Sequence, residues 1–382
     1  MERPEIIMAP GPTPTPPEVL LAQAKPLVYH RGPGFGDLLR KVTEDLKVLF
    51  KTKNDVLIWA SSGTGGLECA VVNLFSPGDR VVVPVAGFFG ERFVKLATAY
   101  GLDVRRVDFE WGETVRVDAV AAALAEAPTK GLLVQQSETS TGVMHDIEAI
   151  STLTRGTDTL LVVDCVSSVG AVPFETDLWG VDAAVGGSQK AISAAPGLSF
   201  VAISEKAWAA NAVAKCPRFY WDWATYKAAY SLPNPESPFT PAISTMQGLA
   251  AGLKLYLDSG MEDNLARHEL LSRATKTGIE AIGLELFGEG RDRAWAVTAI
   301  KAPEGLDADA IVDKVRADHG IVLAPGQGPL KGKVFRIGHF GYFENLDIIR
   351  GLAALELTLQ DMGYPVELGS GVAAAERIFS KG

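Results

Sequence analysis

The sequence predicts an α/β fold in which a mostly parallel sheet is covered by helices on both faces. Short runs rich in Val, Leu and Ile alternate with helical segments over roughly the first two hundred residues. This pattern is typical of parallel strands that are buried on both faces. Polar clusters follow the carboxyl ends of several of these strands, where ligands bind in open α/β sheets. A chain of 382 residues, 47% of them hydrophobic, is long enough for two domains.

The first predicted element is an extended arm, because the proline-rich stretch I-M-A-P-G-P-T-P-T-P-P at 7–17 suits neither a helix nor a central strand. An amphipathic helix over 35–50 follows it. Strands are predicted at 55–60, 80–83, 103–108, 131–135, 159–164, 181–185 and 198–203. Helices are predicted between most of these strands, ending near 74 and 100 and covering 117–126 and 146–155.

Beyond the last of these strands the pattern changes. Residues 217–241 are rich in aromatic residues and proline and fit no regular element, so we expect a long loop that is functional or lies at an interface. Helices at 242–258 and 262–282 lead to strands at 294–300, 321–324 and 333–338 and helices at 307–318 and 344–360. We therefore expect an arm at 1–17, a large domain at 18–260 and a smaller C-terminal α+β domain at 261–382.

Charge and cysteine content argue against several classes of function. The chain has 36 Lys and Arg against 46 Asp and Glu, a net charge of −10 that disfavours nucleic acid or an anionic membrane as a partner. Its three cysteines are scattered, which predicts no disulfide framework, no cysteine-rich metal site and a reducing, cytoplasmic setting. We see no signal-peptide pattern at the start and no apolar run of membrane-spanning length.

The stretch A-V-G-G-S-Q-K-A-I-S at 184–193 carries the strongest chemical signal. Lys190 follows a predicted buried strand, where loss of solvation lowers the pKa of an amine and makes it nucleophilic. Asp164 ends the preceding predicted strand, T-L-L-V-V-D. A lysine able to form a Schiff base, with a carboxylate for a pyridinium nitrogen, fits pyridoxal 5′-phosphate. Lys190 alone could equally be a solvated lysine in a loop. The choice between the two interpretations depends on whether the other motifs agree with the cofactor.

Two motifs agree with that cofactor. The stretch S-S-G-T-G-G-L-E lies between a strand and a helix, where free N–H groups and the helix dipole favour an anion. Ser62, Gly63 and Thr64 are therefore candidate phosphate donors, although many such turns serve only as helix caps. Arg336, in K-V-F-R-I-G-H-F, lies on a predicted strand, and arginine is the natural bidentate partner of a carboxylate.

Two residues have both a functional and a structural interpretation. Phe89 follows the strand at 80–83, where its ring either stacks on an aromatic ligand or fills the core. Gly11, between two prolines, either lets the backbone approach a ligand closely or belongs to a linker.

In order, P-G-P-T-P, S-S-G-T-G-G-L-E, S-E-T-S-T-G-V, V-D-C-V-S-S, G-S-Q-K and F-R-I-G resemble the class V aminotransferases of fold type I. The chain is most similar to the alanine–glyoxylate and serine–glyoxylate aminotransferases, over essentially its whole length. The resemblance implies transfer of an amino group from alanine or serine to glyoxylate or pyruvate. It also implies pyridoxal phosphate as cofactor, no metal, and a homodimer with shared active sites.

The same resemblance implies a role for each motif residue. It makes Lys190 the Schiff-base lysine and Asp164 the partner of the ring nitrogen. The phosphate ligands would be Ser62, Gly63, Thr64, Gln189 and, from the other chain, Thr240 of the partner subunit. The ring would lie between Phe89 and Val166 with Thr139 at its hydroxyl edge, and the substrate would lie near Arg336 and Gly11. Relatives often carry Trp or Tyr where Phe89 stands. They commonly carry Tyr where Ser237 stands, so this chain departs from them at the second phosphate contact across the subunit boundary.

Rival functions fit the residues less well. A cysteine desulfurase of this fold would show a His on the ring, a His directly before the lysine and a Cys in a C-terminal loop. Those places hold Phe89, Gln189 and A-P-G-Q-G-P-L. A hydrogenase subunit, a label that some relatives carry, needs cluster ligands that three scattered cysteines do not supply. A binding protein without enzymatic activity has no feature in its favour, because every chemical position is filled.

The amino donor is left open by the sequence. A dicarboxylic donor needs a second cation, and Arg31 and Arg218 lie in loops whose direction the sequence does not give. Alanine and serine are therefore expected ahead of aspartate, 2-aminoethylphosphonate and ureidoglycine.

Overall fold

The computed structural model of the protein describes residues 5–290 and 294–381. Up to residue 258 its elements are β1 (Ile6–Ile7), α1 (Pro17–Gln23), α2 (Pro33–Phe50), β2 (Asp55–Ala60), α3 (Gly63–Leu74), β3 (Arg80–Val85), α4 (Phe88–Ala99), β4 (Asp103–Asp108), α5 (Val117–Ala125), β5 (Gly131–Gln135), β6 (Ser137–Glu138), β7 (Val143–Met144), α6 (Ile147–Ser151), β8 (Leu160–Asp164), α7 (Thr176–Trp179), β9 (Ala183–Gly187), β10 (Leu198–Ile203), α8 (Glu205–Asn211), α9 (Trp223–Tyr230) and α10 (Ile243–Asp258). Next come α11 (Met261–Ala281), β11 (Val297–Lys301), α12 (Ala308–His319), β12 (Ile321–Val322), β13 (Ala324–Pro325), β14 (Val334–Gly338), α13 (Asn345–Asp361) and α14 (Ser370–Phe379).

A seven-stranded sheet in the order β2-β10-β9-β8-β5-β3-β4 forms the centre of the large domain. The strands from β9 to β4 in that order are parallel, and β10 runs antiparallel to both of its neighbours. Along β5, Leu132 and Val134 belong to one hydrophobic core and Leu133 to the other, because successive side chains of a strand point to opposite faces. The predicted α/β class, with helices flanking a mostly parallel sheet, is confirmed.

Most predicted strands are found, and two regions differ from their prediction. β9 begins two residues later than predicted because the Val181 N–H donates to the Thr176 carbonyl (3.0 Å) at the end of α7. The region 217–241, expected to contain no regular element, includes α9. Asp222 caps this helix by accepting a hydrogen bond from the Thr225 N–H (3.0 Å). Helices α1, α7, α8 and α14 were not predicted, and the strand predicted at 321–324 is found as two short strands, β12 and β13.

The C-terminal part contains a three-stranded antiparallel sheet in the order β11-β14-β13, with its own hydrophobic core. Phe335 of β14 and Leu352 of α13 belong to this core, which is separate from the two that cover the large sheet. The separate cores support the division that we propose, with 18–260 as the large domain and 261–382 as the small one. Within the described ranges no helix has the length and apolar character needed to cross a bilayer.

The N-terminal arm connects the two domains. Ile6 pairs with Ile321 in a parallel ladder, and the Met8 carbonyl accepts a hydrogen bond from the Gly338 N–H of β14 (2.6 Å). Farther along, the Thr13 N–H donates to the Gln189 carbonyl (3.1 Å) beside the predicted catalytic lysine. The arm therefore runs from β14, the strand that carries Arg336, to the loop that carries Lys190.

Candidate active site

A cavity of about 250 Å³ lies at the carboxyl edge of the central sheet. Nine of the predicted site residues line it: Ser62, Gly63, Thr64, Phe89, Thr139, Asp164, Val166, Gln189 and Lys190. They come together because they follow the ends of β2, β3, β5, β8 and β9, and strands that run in the same direction end at the same edge of a sheet. The structure thus brings the separate motifs of the sequence into one pocket.

Lys190 projects into this cavity beside the N-terminal arm. Its Nζ donates a hydrogen bond to the Pro10 carbonyl, and the Thr13 hydroxyl donates to the Lys190 carbonyl (2.9 Å). Desolvation lowers the pKa of Lys190 to about 8; the Asp164 charge opposes this shift, and the positive charges of Arg336 and Arg92 add to it. A large fraction of this amine is therefore neutral near pH 8, as a nucleophile requires.

Gly11 lies directly against that lysine. A Cβ placed on Gly11 would come within 2.4 Å of the Lys190 Nζ, and its φ of +123° lies in a region that L residues rarely adopt. A glycine is therefore required here for the arm to pass the lysine.

Asp164 ends β8 and is 7% exposed. Its Oδ1 accepts a hydrogen bond from the Val166 N–H (3.0 Å). Burial raises the pKa of this carboxyl, while the Val166 hydrogen bond and the charges of Arg92 and Lys190 act in the opposite direction. A buried carboxylate on the cavity wall is suited to hold a cationic N–H group.

The N-terminus of α3 forms another wall. Ser62 occupies the N-cap position, but its side chain makes no capping hydrogen bond within the described structure. The Thr64 hydroxyl accepts a hydrogen bond from Arg92 Nη1 (2.9 Å). A Cβ on Gly63 would lie 2.7 Å from the Val166 side chain, so only glycine leaves the space beside this turn open. Hydroxyl groups, the helix N–H groups and a guanidinium form a set of donors suited to an anion.

Arg336 lies behind Thr139 and does not itself line the cavity. Its Nη1 donates to the Thr139 carbonyl (3.0 Å) and its Nη2 to the Pro325 carbonyl (2.8 Å). The residue is 6% exposed, and desolvation lowers its pKa to about 10 although the Glu138 charge opposes the shift. Two carbonyl groups thus fix the plane of this guanidinium next to the cavity.

Thr240 is the predicted residue that this chain does not bring to the site. It is exposed and lines a separate cavity together with Tyr220 and Phe239. Ser237, where relatives commonly carry the Tyr of the second phosphate contact, lines that same separate cavity.

Glu138 was not predicted as a site residue, although it stands in the quoted S-E-T-S-T-G-V motif. It is fully buried, and its Oε2 accepts hydrogen bonds from the N–H groups of Phe89 (3.0 Å) and Gly90 (3.2 Å) and from Gln135 Nε2 (2.9 Å). Its Oε1 accepts from the N–H and hydroxyl of Ser140. Burial raises the pKa of Glu138, and these hydrogen bonds oppose that shift. The side chain therefore fastens the helix that carries Phe89 to the loop that holds Arg336.

Arg92 was also missed, although it stands one helical turn after Phe89 in the predicted helix. It lines the cavity, and its guanidinium lies 4.6 Å from the centre of the Phe89 ring. Among the residues that the structure describes, no group of three His, Cys, Asp or Glu side chains is placed to hold a metal ion.

Comparisons with known proteins agree with this geometry. The family model "Aminotransferase class-V" matches residues 9–331. Three relatives cover nearly the whole chain. A "Soluble hydrogenase, small subunit" of Synechococcus is 39% identical over 100% of both chains. The L-aspartate–glyoxylate aminotransferase of Paracoccus denitrificans is 37% identical over 97% of this chain and 95% of its own. The serine–glyoxylate aminotransferase of Arabidopsis thaliana is 36% identical over 97% and 94%.

A solved structure gives the same result. The ureidoglycine–glyoxylate aminotransferase of Bacillus subtilis superposes with a TM-score of 0.96 at 30% identity, covering 100% of this chain and 99% of its own. The fold is that of the fold type I pyridoxal-phosphate aminotransferases. The chain belongs to the class V aminotransferase family, as the sequence motifs predicted.

The residues present fit the cofactor on which that family depends. A lysine with a depressed pKa, a buried carboxylate, an aromatic ring and a donor-rich helix end line one cavity. The Gln189 Oε1 is buried and has no hydrogen-bond partner within the described residues, as expected of a polar group that meets a ligand. Lys190 would hold the carbonyl carbon, Asp164 the ring nitrogen, and the start of α3 the phosphate.

Proposed function

We propose that the protein is a pyridoxal-phosphate-dependent aminotransferase that moves an amino group from alanine or serine to glyoxylate or pyruvate. The observation that carries the proposal is the meeting of Lys190, with its pKa near 8, and buried Asp164 in one cavity with an anion-binding helix end. The named activities of the Arabidopsis and Paracoccus relatives support glyoxylate as acceptor.

Each side chain has a defined task in this reaction. When bound, the cofactor supplies an electron sink that accepts the electron pair left when the substrate Cα loses its proton. Lys190 would take that proton from the substrate Cα as a base and give it up again as an acid. Asp164 would hold the protonated ring nitrogen of the bound cofactor. Arg336, oriented by two carbonyl groups, binds the substrate carboxylate through its remaining N–H groups.

The surroundings of the loop arginines support a small neutral donor. Arg31 pairs with Glu236 (2.8 Å), and Arg218 binds the carbonyl of Val72 (3.0 Å) and the carboxylate of Asp222 (3.2 Å). Both guanidinium groups are thus engaged with groups of this protomer, and neither lines the cavity. An unpaired buried carboxylate costs several kcal/mol, and every 1.4 kcal/mol is about tenfold in specificity.

We further propose a homodimer with shared active sites. Thr240 is exposed here, and Phe219 in the same aromatic region is 80% exposed, as expected of residues that meet a second copy. In that dimer, Thr240 of the partner subunit would reach the phosphate. The solution mass of the active enzyme checks this, and a fully active monomer would contradict it. We also propose a cytoplasmic location, in keeping with three free, buried thiols.

The desulfurase alternative gains no support from the cysteines. Cys69, Cys165 and Cys216 are all buried, and desolvation raises the pKa of each thiol. A thiol with a raised pKa is a poor nucleophile at neutral pH.

Borohydride reduction with peptide mapping tests the proposed chemistry. The label is expected on Lys190, and Lys190→Ala should abolish it, while Lys206→Ala, which removes a half-buried lysine paired with Asp182, should retain it. A label on another lysine would refute the assignment. A panel of donors with glyoxylate and pyruvate then fixes the substrate: aspartate better than alanine and serine by tenfold would refute the neutral-donor proposal.

A further inference from the structure

Arg92 lines the cavity, yet the reaction proposed above gives it no task. It lies on α4, and the acid next to it, Glu91, pairs with Arg106 (2.7 Å), so that Glu91 does not neutralise it. The Arg92 guanidinium instead lies over the Phe89 ring at 4.6 Å and over the Phe88 ring at 5.5 Å. A cation over two aromatic faces is held in place without losing its charge.

The hydrogen bond from Arg92 orients the Thr64 hydroxyl group, because it fixes which lone pair of the oxygen is used. Arg92 Nη1 donates to Thr64 Oγ1 (2.9 Å), and arginine has no acceptor atom. The hydroxyl therefore accepts from Arg92 and has its own proton free for another acceptor. Thr64 lies in the first turn of α3, where the backbone N–H groups also lack partners within the helix. Hydroxyl and N–H donors are then presented to the same ligand.

We propose that Arg92 is the principal cation for the cofactor phosphate, both through its charge and by orienting the Thr64 hydroxyl. The inference rests on the proposed function, because it assumes that the phosphate lies at the start of α3. A phosphate monoester carries between one and a half and two negative charges at neutral pH, whereas a helix N-terminus contributes only about half a positive charge. Arg92 supplies the positive charge that is still required on this side.

Binding of pyridoxal phosphate and of pyridoxal, which lacks the phosphate, separates this role from mere support of the Phe89 ring. The dissociation constant of each compound is measured by fluorescence titration of the cofactor-free full-length enzyme. Arg92→Met should weaken pyridoxal phosphate binding by about 10- to 100-fold, the value of one charged hydrogen bond. It should leave pyridoxal binding within about twofold of the wild type. Arg92→Lys should recover part of the loss, because it keeps the charge without the planar guanidinium.

Arg116 offers a matched control, since its guanidinium lies over the Phe109 ring at 5.0 Å and it does not line the cavity. Arg116→Met should leave both dissociation constants unchanged. Equal weakening of both compounds by Arg92→Met would overturn the proposal in favour of a packing role, and unchanged pyridoxal phosphate binding would overturn it outright. A wild-type enzyme that captures no pyridoxal phosphate would overturn the proposed function and this inference with it.

Discussion

The two sides of the cavity are built in different ways. On the proposed cofactor side, Asp164 ends β8 and Lys190 follows β9, the neighbouring strand of the same sheet. On the proposed substrate side, Arg336 stands on β14 of a second sheet and donates to the carbonyl of Thr139, 197 residues earlier in the chain. The cofactor side is thus set by one sheet edge, and the substrate side by the way two domains and an arm pack together.

This difference separates the consequences expected from mutation. A change on the cofactor side should alter how the cofactor is captured, and a change on the substrate side should alter only how amino acids are used. Glu138 belongs to both sides, because it binds the helix of Phe89 and the loop of Thr139. The three predictions below test the separation, starting with the largest expected effect.

Arg336→Ala should lower kcat/KM for every amino donor by about 100-fold. The change removes a bidentate contact to the α-carboxylate that all donors share, worth about 3 kcal/mol. The absorption spectrum of the bound cofactor should remain that of the wild type, and Arg336→Lys should restore only part of the activity. Steady-state kinetics with alanine and serine measure kcat/KM, and absorbance spectroscopy measures the cofactor spectrum. A changed cofactor spectrum would show that the two sides are not separable.

Glu138→Ala should disturb both sides at once. It leaves the buried N–H groups of Phe89, Gly90 and Ser140 without their acceptor, which costs about 2 kcal/mol in the free energy of unfolding. Cofactor affinity and kcat/KM should both fall, whereas Glu138→Gln, which keeps one acceptor oxygen, should recover much of the loss. Denaturant unfolding and cofactor titration measure these effects. Glu148→Ala, at an exposed position in α6, is the control. It should change the free energy of unfolding by less than about 0.5 kcal/mol.

The rate of cofactor capture should depend on pH with a midpoint near 8. Lys190 has its pKa lowered to about 8 from the ordinary 10.5, so that its amine is protonated and non-nucleophilic below pH 8 and neutral above it. Capture by the cofactor-free enzyme should therefore fall about tenfold per pH unit below the midpoint and level off above it. Asp164→Asn should move the midpoint lower, because the Asp164 charge raises the pKa of Lys190. Stopped-flow absorbance between pH 6.5 and 9.5 follows the rate, and a midpoint near 10 would contradict this account.

The sequence was most informative where one strand and its following turn decide the structure. The strands at 55–60, 103–108, 131–135 and 198–203 have the predicted limits, because each apolar run is bounded by polar or glycine residues. The same local logic placed Lys190, Asp164 and Ser62 at one edge. Helix α9 was missed because its aromatic residues hide the helical pattern, and only the Asp222 cap signals its start.

Contacts between distant segments could not be predicted in this way. The Glu138 carboxylate and the Phe89 N–H that it binds are 49 residues apart, and nothing local distinguishes this glutamate from a solvent-exposed acid of a polar loop. Arg336 was predicted by residue type and strand, but its two carbonyl partners come from other segments. The role of Thr240 stays a prediction, because a single chain leaves it exposed.

The arm imposes an order on the synthesis of the protein. Ile6 leaves the ribosome roughly 300 residues before its pairing partner Ile321, a delay of about 15–60 s at 5–20 residues per second. Until then the segment that brings Pro10 and Gly11 to Lys190 has no strand to pair with. The nascent chain therefore carries a completed sheet edge before it carries a completed catalytic centre.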